Sequence, residues 1–159
     1  MEKQHALQRL EQLQKKLYAI HYACSAMNLD ADTVAPKNTS EGRGVALGVL
    51  AGEEQQLMIC PETRALLDEL DRQKDELDLL HRREVEELRR RCDQLTRIPA
   101  EEYIAYSELV NKAGDVWHKA KEKDDFAMFC PLLQELVEYN RKFAAYYDST
   151  RAPYDALLN

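Results

Sequence analysis

The chain has 159 residues, 45% hydrophobic and 32% charged, with five Gly, five Pro and a net charge of −7. That length suits a single domain over residues 1–159 that buries about 70% of its extended-chain surface, and the composition suits a helix-rich protein rather than a sandwich or a disordered tail. The negative charge argues against nucleic acid as a partner, because affinity for phosphates comes from Lys and Arg, and there is no run of about 18 apolar residues to cross a membrane.

From Leu7 to Met27 the apolar positions Leu10, Leu13, Leu17, Ile20, Cys24 and Met27 step by three and four, the spacing of one helix face, while Glu11, Lys15 and Lys16 charge the other. The stretch Asn28 to Thr39, with Asp30, Asp32 and Pro36, predicts a break, and Asn38-Thr39-Ser40 offers an N-cap hydroxyl for a second helix over 40–59. Gly44, Gly48 and Gly52 recur on one ridge of that helix, each costing about 1 kcal/mol relative to Ala. They predict a tight helix crossing, and no Lys-Ser/Thr follows them to make a phosphate loop.

Cys60-Pro61 marks the next boundary, with Pro61 at a first helical position and Leu66, Leu67 and Leu70 on a short helix ending near Arg72. Asp75 is a candidate cap for the helix that follows, whose seam is Leu77, His81, Val85, Leu88, Cys92 and Leu95. The run Arg89-Arg90-Arg91, interleaved with Glu86 and Glu87, fits a solvated face. Pro99 opens another helix with the seam Tyr103, Tyr106, Val110, Ala113, Trp117 and Ala120, interrupted by Gly114. Asp124-Asp125 breaks it.

The last long helix carries Phe129, Leu133, Leu136, Val137, Asn140, Phe143, Ala144 and Tyr147. Pro131 is placed in its first turn, with residues 125–128 as a separate turn before it, because proline clashes in a helix interior. No stretch alternates with period two. The prediction is an all-α fold, an antiparallel array of five or six helices with short connections.

Chemistry is sparse. Cys24, Cys60, Cys92 and Cys130 form no C-x-x-C pair and are expected as small buried hydrophobes of a reducing, cytoplasmic compartment, as no basic and apolar signal segment opens the chain. The four histidines include no H-E-x-x-H. Glu2/His5, Asp78/His81 and Asp115/His118 have the acidic-x-x-His spacing of di-iron bundles, but Asp is the short carboxylate in two of them and none occupies an apolar seam with its partner. No catalytic, cofactor-binding or metal-ligating residue is assigned. Tyr139, Tyr146, Tyr147 and Tyr154 are expected at a core or interface edge.

The blocks Trp117-x-x-Ala120-Lys121, Asp125-Phe126-x-x-Phe129-x-Pro131-x-Leu133 and Tyr154-Asp155-x-Leu157-Leu158 resemble the N-terminal part of the carboxypeptidase Taq family of zinc metallocarboxypeptidases. Asp30-x-x-Thr33-x-x-Pro36 and Glu41-x-Arg43 resemble a second block of that family, although Leu29 stands in place of its usual Trp and Lys37 to Ser40 replace its Pro/Gly-rich turn. The resemblance implies a mostly helical peptidase that removes C-terminal residues from peptides, with zinc on an H-E-x-x-H motif that lies beyond the matched region. It implies a chain that forms one wall or lid of the substrate groove, completed by a missing C-terminal catalytic region, with no zinc of its own and no peptide substrate outside the full-length enzyme. Of the matched positions, Asp30 and Asp125 are expected as helix-end residues and Phe126 as a packing anchor. The alternative is a stand-alone helical interaction module, and either reading allows a homodimer.

Overall fold

A computed structural model describes residues 2–36 and 38–158, without the side chain of Glu2. The expected Glu2/His5 pair, the turn residue Lys37 and the terminal Asn159 therefore lie outside the described residues. The described chain is all-α, as predicted: α1 (Glu2–Thr33), α2 (Ser40–Ile59), α3 (Pro61–Arg72), α4 (Leu79–Arg97), α5 (Ala100–Glu122), α6 (Phe126–Tyr147) and α7 (Pro153–Leu157), with a 3-10 turn at Lys74–Glu76. No helix of the described residues is long and apolar enough to cross a membrane.

Two boundaries differ from the sequence expectation. Helix α1 runs through Asn28–Thr33 instead of breaking there. The weak helix propensity of Asn, Asp and Thr costs only a few tenths of a kcal/mol each, and the helical ladder continues, with the Asp30 carbonyl accepting from the Val34 and Ala35 N–H groups at 3.0 and 2.8 Å. The Thr33 hydroxyl is satisfied inside the helix by the Leu29 carbonyl at 2.6 Å. Helix α6 starts at Phe126, a turn earlier than expected, so Pro131 lies inside it. The Asp125 carboxylate caps this start by accepting the Met128 N–H at 3.2 Å, and Pro131 removes only the bond that would end on the Ala127 carbonyl, next to the helix start.

The chain divides into two compact units. The first, Met1–Ser25 with Glu53–Thr96, packs the predicted seams: Leu10, Leu13 and Leu17 of α1, Leu66, Leu67 and Leu70 of α3, and Val85, Cys92 and Leu95 of α4 are buried. Each buried Leu or Val contributes about 1.5–3 kcal/mol of transfer free energy. Helices α3 and α4 run antiparallel, with Arg64 donating to the Thr96 hydroxyl at 2.9 Å and Arg89 facing Asp68 at 2.9 Å. At the corner between α2 and α3, Pro61 begins the helix and the buried Thr63 hydroxyl donates back to the Leu57 carbonyl at 2.7 Å. Helix α4 is capped by Asp78, not Asp75: its carboxylate accepts the His81 N–H at 3.0 Å.

The second unit, Ala26–Gly52 with Arg97–Asn159, is built on the α5/α6 hairpin. Tyr106 meets Asn140 at 3.2 Å and Lys142 donates to Glu102 at 2.6 Å, which sets an antiparallel register in which paired residue numbers sum to nearly the same value. Its core is Leu109, Ala113 and Leu132, flanked by Val116, Phe129, Leu136 and Tyr139. The expected seams thus differ on both helices: on α6, Leu133 and Val137 are exposed and Leu132 is buried instead, and the α5 seam is rotated by one residue at two places. Val110 and Trp117 are exposed, while Leu109 and Val116 face α6.

Candidate functional site

The glycine ridge of α2 is a tight crossing, as expected, and α5 side chains fill it. A Cβ at Gly44 would stand 3.0 Å from Asn111 Nδ2, one at Gly48 2.8 Å from Glu108 Oε1, and one at Gly52 3.0 Å from Ile104 Cδ1. The descending α5 numbers against ascending α2 numbers make the crossing antiparallel. Beside Gly44, Arg43 projects at α5 with its side chain nine-tenths buried. Its Nε donates to Asn111 Oδ1 at 2.8 Å and its Nη2 to Asp115 Oδ1 at 2.8 Å. Asn111 in turn donates to the Ser40 carbonyl at 3.1 Å, tying α5 to the first turn of α2.

This anchor floors a cleft of about 1050 Å³ between the end of α1, the start of α2 and α5. Asp32, Glu108 and His118 also line it, and His118 lies 3.5 Å from Asp32. The turn above it is held by the Thr39 hydroxyl on the Pro36 carbonyl at 2.9 Å and by Asn38 at φ 76°, a left-handed conformation that Asn tolerates better than most residues. Asp115 Oδ2 is buried with no hydrogen-bond partner. A fixed guanidinium paired with a partly buried carboxylate is an architectural clamp: it positions α2 on α5.

A second cluster sits in the first unit. The Glu54 carboxylate, nearly buried, accepts from Arg91 Nη2 and lies 3.0 Å from His21 Nε2. The arginine run lies at the surface as expected, and Arg91, still 38% exposed, also reaches in to pair with Glu54, a nearly buried acid that requires a cation. Neighbouring Cys24 has its thiol pushed up, first by burial and then by the Glu54 charge, and Cys92 is pushed up by burial. Both stay protonated and poorly nucleophilic at neutral pH. The expectation of four buried thiols holds only for Cys92: Cys24 and Cys60 are half-buried and Cys130 is exposed.

The acidic-x-x-His spacings do not converge. Asp78 and His81 pair with each other, and the His81 backbone N–H, followed by its ring, holds the Asp78 carboxyl below the usual range. Asp115 turns to Arg43 while His118 faces Asp32. Among the described residues no group of three His, Cys, Asp or Glu is placed to hold a metal ion, and in the densest cluster a guanidinium occupies the carboxylate. These residues do not fit a zinc ion.

Of the motif residues, Asp30 and Thr33 close α1, Arg43 is the clamp, and Asp125 caps α6 as expected. Phe126 is 65% exposed and anchors nothing here, against expectation. Sequence reasoning missed Asn111 and Asp115 as partners of Arg43. The available signal was their spacing of four on α5, which puts two acceptors on one face opposite the glycine ridge.

The chain's similarity to known proteins is broad in sequence and fold. The family model for carboxypeptidase Taq (M32) metallopeptidases matches residues 9–159. Carboxypeptidase 1 of Bacillus subtilis (strain 168) is 36% identical over 141 residues, covering 87% of this chain and 28% of that protein. Thermostable carboxypeptidase 1 of Pyrococcus furiosus is 30% identical over 145 residues, 91% of this chain and 29% of that protein. Among solved structures, the BsuCP crystal structure superposes with a TM-score of 0.91 at 32% identity, over 97% of this chain and 31% of that one. Metallocarboxypeptidase 1 of Trypanosoma cruzi gives 0.72 at 30% identity over the same shares. The chain thus spans less than a third of the length of the relatives it matches, and it belongs to the carboxypeptidase Taq metallopeptidase family.

Proposed function

We propose that the chain is the N-terminal helical portion of a zinc-dependent metallocarboxypeptidase that removes C-terminal residues from peptides in the cytoplasm. In this reading it forms a wall or lid of the substrate groove and is inactive alone. The catalytic region, with its zinc and its peptide contacts, belongs to the rest of the fold. The observation that carries the reading is the pairing of a fold match at TM-score 0.91 over 97% of this chain with coverage of 31% of the matched structure. The clamp of Arg43, Asn111 and Asp115 supports it physically, because a wall that bounds a groove needs rigid helix crossings. Without its complement the chain has uncovered apolar surface and pairs with a second copy of itself.

The test is release of C-terminal amino acids from peptides by the purified chain with added zinc or cobalt, beside a full-length Bacillus subtilis carboxypeptidase 1 in which residues 9–159 of this chain replace the matched portion. The chain alone is expected to show no turnover and the chimera metal-dependent turnover. Robust metal-dependent turnover by the chain alone would refute the reading.

A further inference from the structure

One face of the α5/α6 hairpin is apolar and exposed, with Lys121 Nζ 5.0 Å from the Trp117 ring at its edge. On α5, Val110, Gly114 and Trp117 follow one another at helical spacing; Val110 and Trp117 are 47% and 42% exposed, and a Cβ at Gly114 would meet nothing within 4 Å. On α6, Phe126, Cys130, Leu133 and Val137 do the same over about 16 Å of helix, every one of them exposed. Each of these residues follows by one position, on its own helix, a residue turned toward the core or by a whole number of turns its equivalent. In an antiparallel pair the rotation of about 100° per residue carries both sets to the same side. That side is opposite the one on which Glu108, Asn111 and Asp115 meet α2. In the hairpin register Gly114 lies across from Leu133 and Val110 across from Val137, so the glycine forms a notch in the middle of an otherwise bulky apolar patch.

We propose that this face is the docking surface for the remainder of the carboxypeptidase fold, with an apolar helix of that remainder seated over the Gly114 notch. The inference rests on the functional reading above. Its occupant follows from the comparisons. Relatives about three times as long keep this portion's fold at a TM-score of 0.91, so a large further body must pack on it. An apolar face of this extent with a helix-destabilising glycine at its centre is the surface such a body covers. The opposite side of α5 is already filled by α2.

The test uses Cys130 as a reporter. In the chimera described above, alkylation of Cys130, read by peptide mass spectrometry, is expected to be at least about tenfold slower than in the isolated chain kept dilute enough to be monomeric, and to be independent of the chimera's concentration. Val137→Gln is expected to leave the thermal midpoint of the dilute isolated chain within about 1 °C and to lower that of the chimera by several degrees. Equal reactivity of Cys130 in both proteins overturns the inference, as does protection that appears only at concentrations where the chimera dimerises, which would assign the face to a second copy. If the chimera does not fold, a cysteine placed at the aligned position of full-length Bacillus subtilis carboxypeptidase 1 gives the same readout, protection supporting the inference and free reactivity overturning it. A chimera with Cys130 protected but no turnover would leave the docking intact and count against the groove reading. An active chimera with Cys130 open would do the reverse.

Discussion

Replacing Gly52 and Gly114 by alanine, one at a time, separates a glycine that a neighbour requires from one that nothing here requires. Both lie in helix interiors, α2 and α5, where Gly costs about 1 kcal/mol relative to Ala. At Gly114 the new methyl meets nothing within 4 Å, so the full gain is expected, a rise of about 2–4 °C in thermal midpoint for a chain of this size. At Gly52 the methyl would stand 3.0 Å from Ile104 Cδ1 and 3.3 Å from its Cγ1, and the β-branched Ile104 is stiff at χ1. Overpacking of this kind costs about 1–3 kcal/mol, which cancels or exceeds the propensity gain. Gly52→Ala is therefore expected to be neutral to destabilising by about 2 kcal/mol, and the double variant Gly52→Ala with Ile104→Val, which removes Cδ1, to recover about 1 kcal/mol beyond additivity. Urea denaturation of the unmodified chain, the two glycine variants, Ile104→Val and the double variant measures this directly. A Gly52→Ala variant as stabilised as Gly114→Ala, with no coupling to Ile104, would refute the close crossing of α2 and α5.

Other consequences are equally direct. Arg43→Met strands Asp115 and Asn111 and is expected to cost about 2–3 kcal/mol, with Arg43→Lys failing to restore both bonds because an ammonium has no planar fork; a loss under 0.5 kcal/mol by denaturant titration would remove the clamp from the account. Asp125→Ala deletes the cap of α6 and is expected to cost about 1 kcal/mol, with faster amide exchange confined to the first turn of that helix. The hydrogen bond from Lys142, with one from Tyr146, holds the Glu102 carboxyl below the usual glutamate range, and Glu102 holds Lys142 above its own. The glutamate contribution is present above its unfolded pKa of about 4.3 and is lost as pH falls through the lower folded value; the lysine contribution is full below about 10.4 and is lost as pH rises through the higher folded value. Lys142→Met should raise the Glu102 titration, followed by carbon-detected NMR, toward the ordinary range, and an unchanged titration would contradict the pairing.

Helix existence, the leucine seams of the first unit and the start of α2 were legible because apolar spacing and caps act locally. The end of α1 was not, since Asn28 to Thr33 have turn-favouring side chains that a continuing ladder overrides. Pro131 misplaced the start of α6 because the Asp125 cap, one turn earlier, outweighs a single missing hydrogen bond. Period alone left Leu109 and Val110, and likewise Val116 and Trp117, as neighbours competing for one seam; the α6 side chains chose between them. The clamp on Arg43 and the Glu54 cluster were hidden because their partners come from distant helices. Exposed apolar residues such as Phe126 and Val137 carry the same sequence signal whether they face a core inside the chain or one completed from outside it.

The central claim, that this chain is a non-catalytic wall of a carboxypeptidase, is tested most directly by metal-dependent release of C-terminal residues from a peptide, comparing the isolated chain with the full-length chimera carrying it. The account expects no release by the chain at any zinc or cobalt concentration and clear release by the chimera. Metal-dependent turnover by the isolated chain would contradict it.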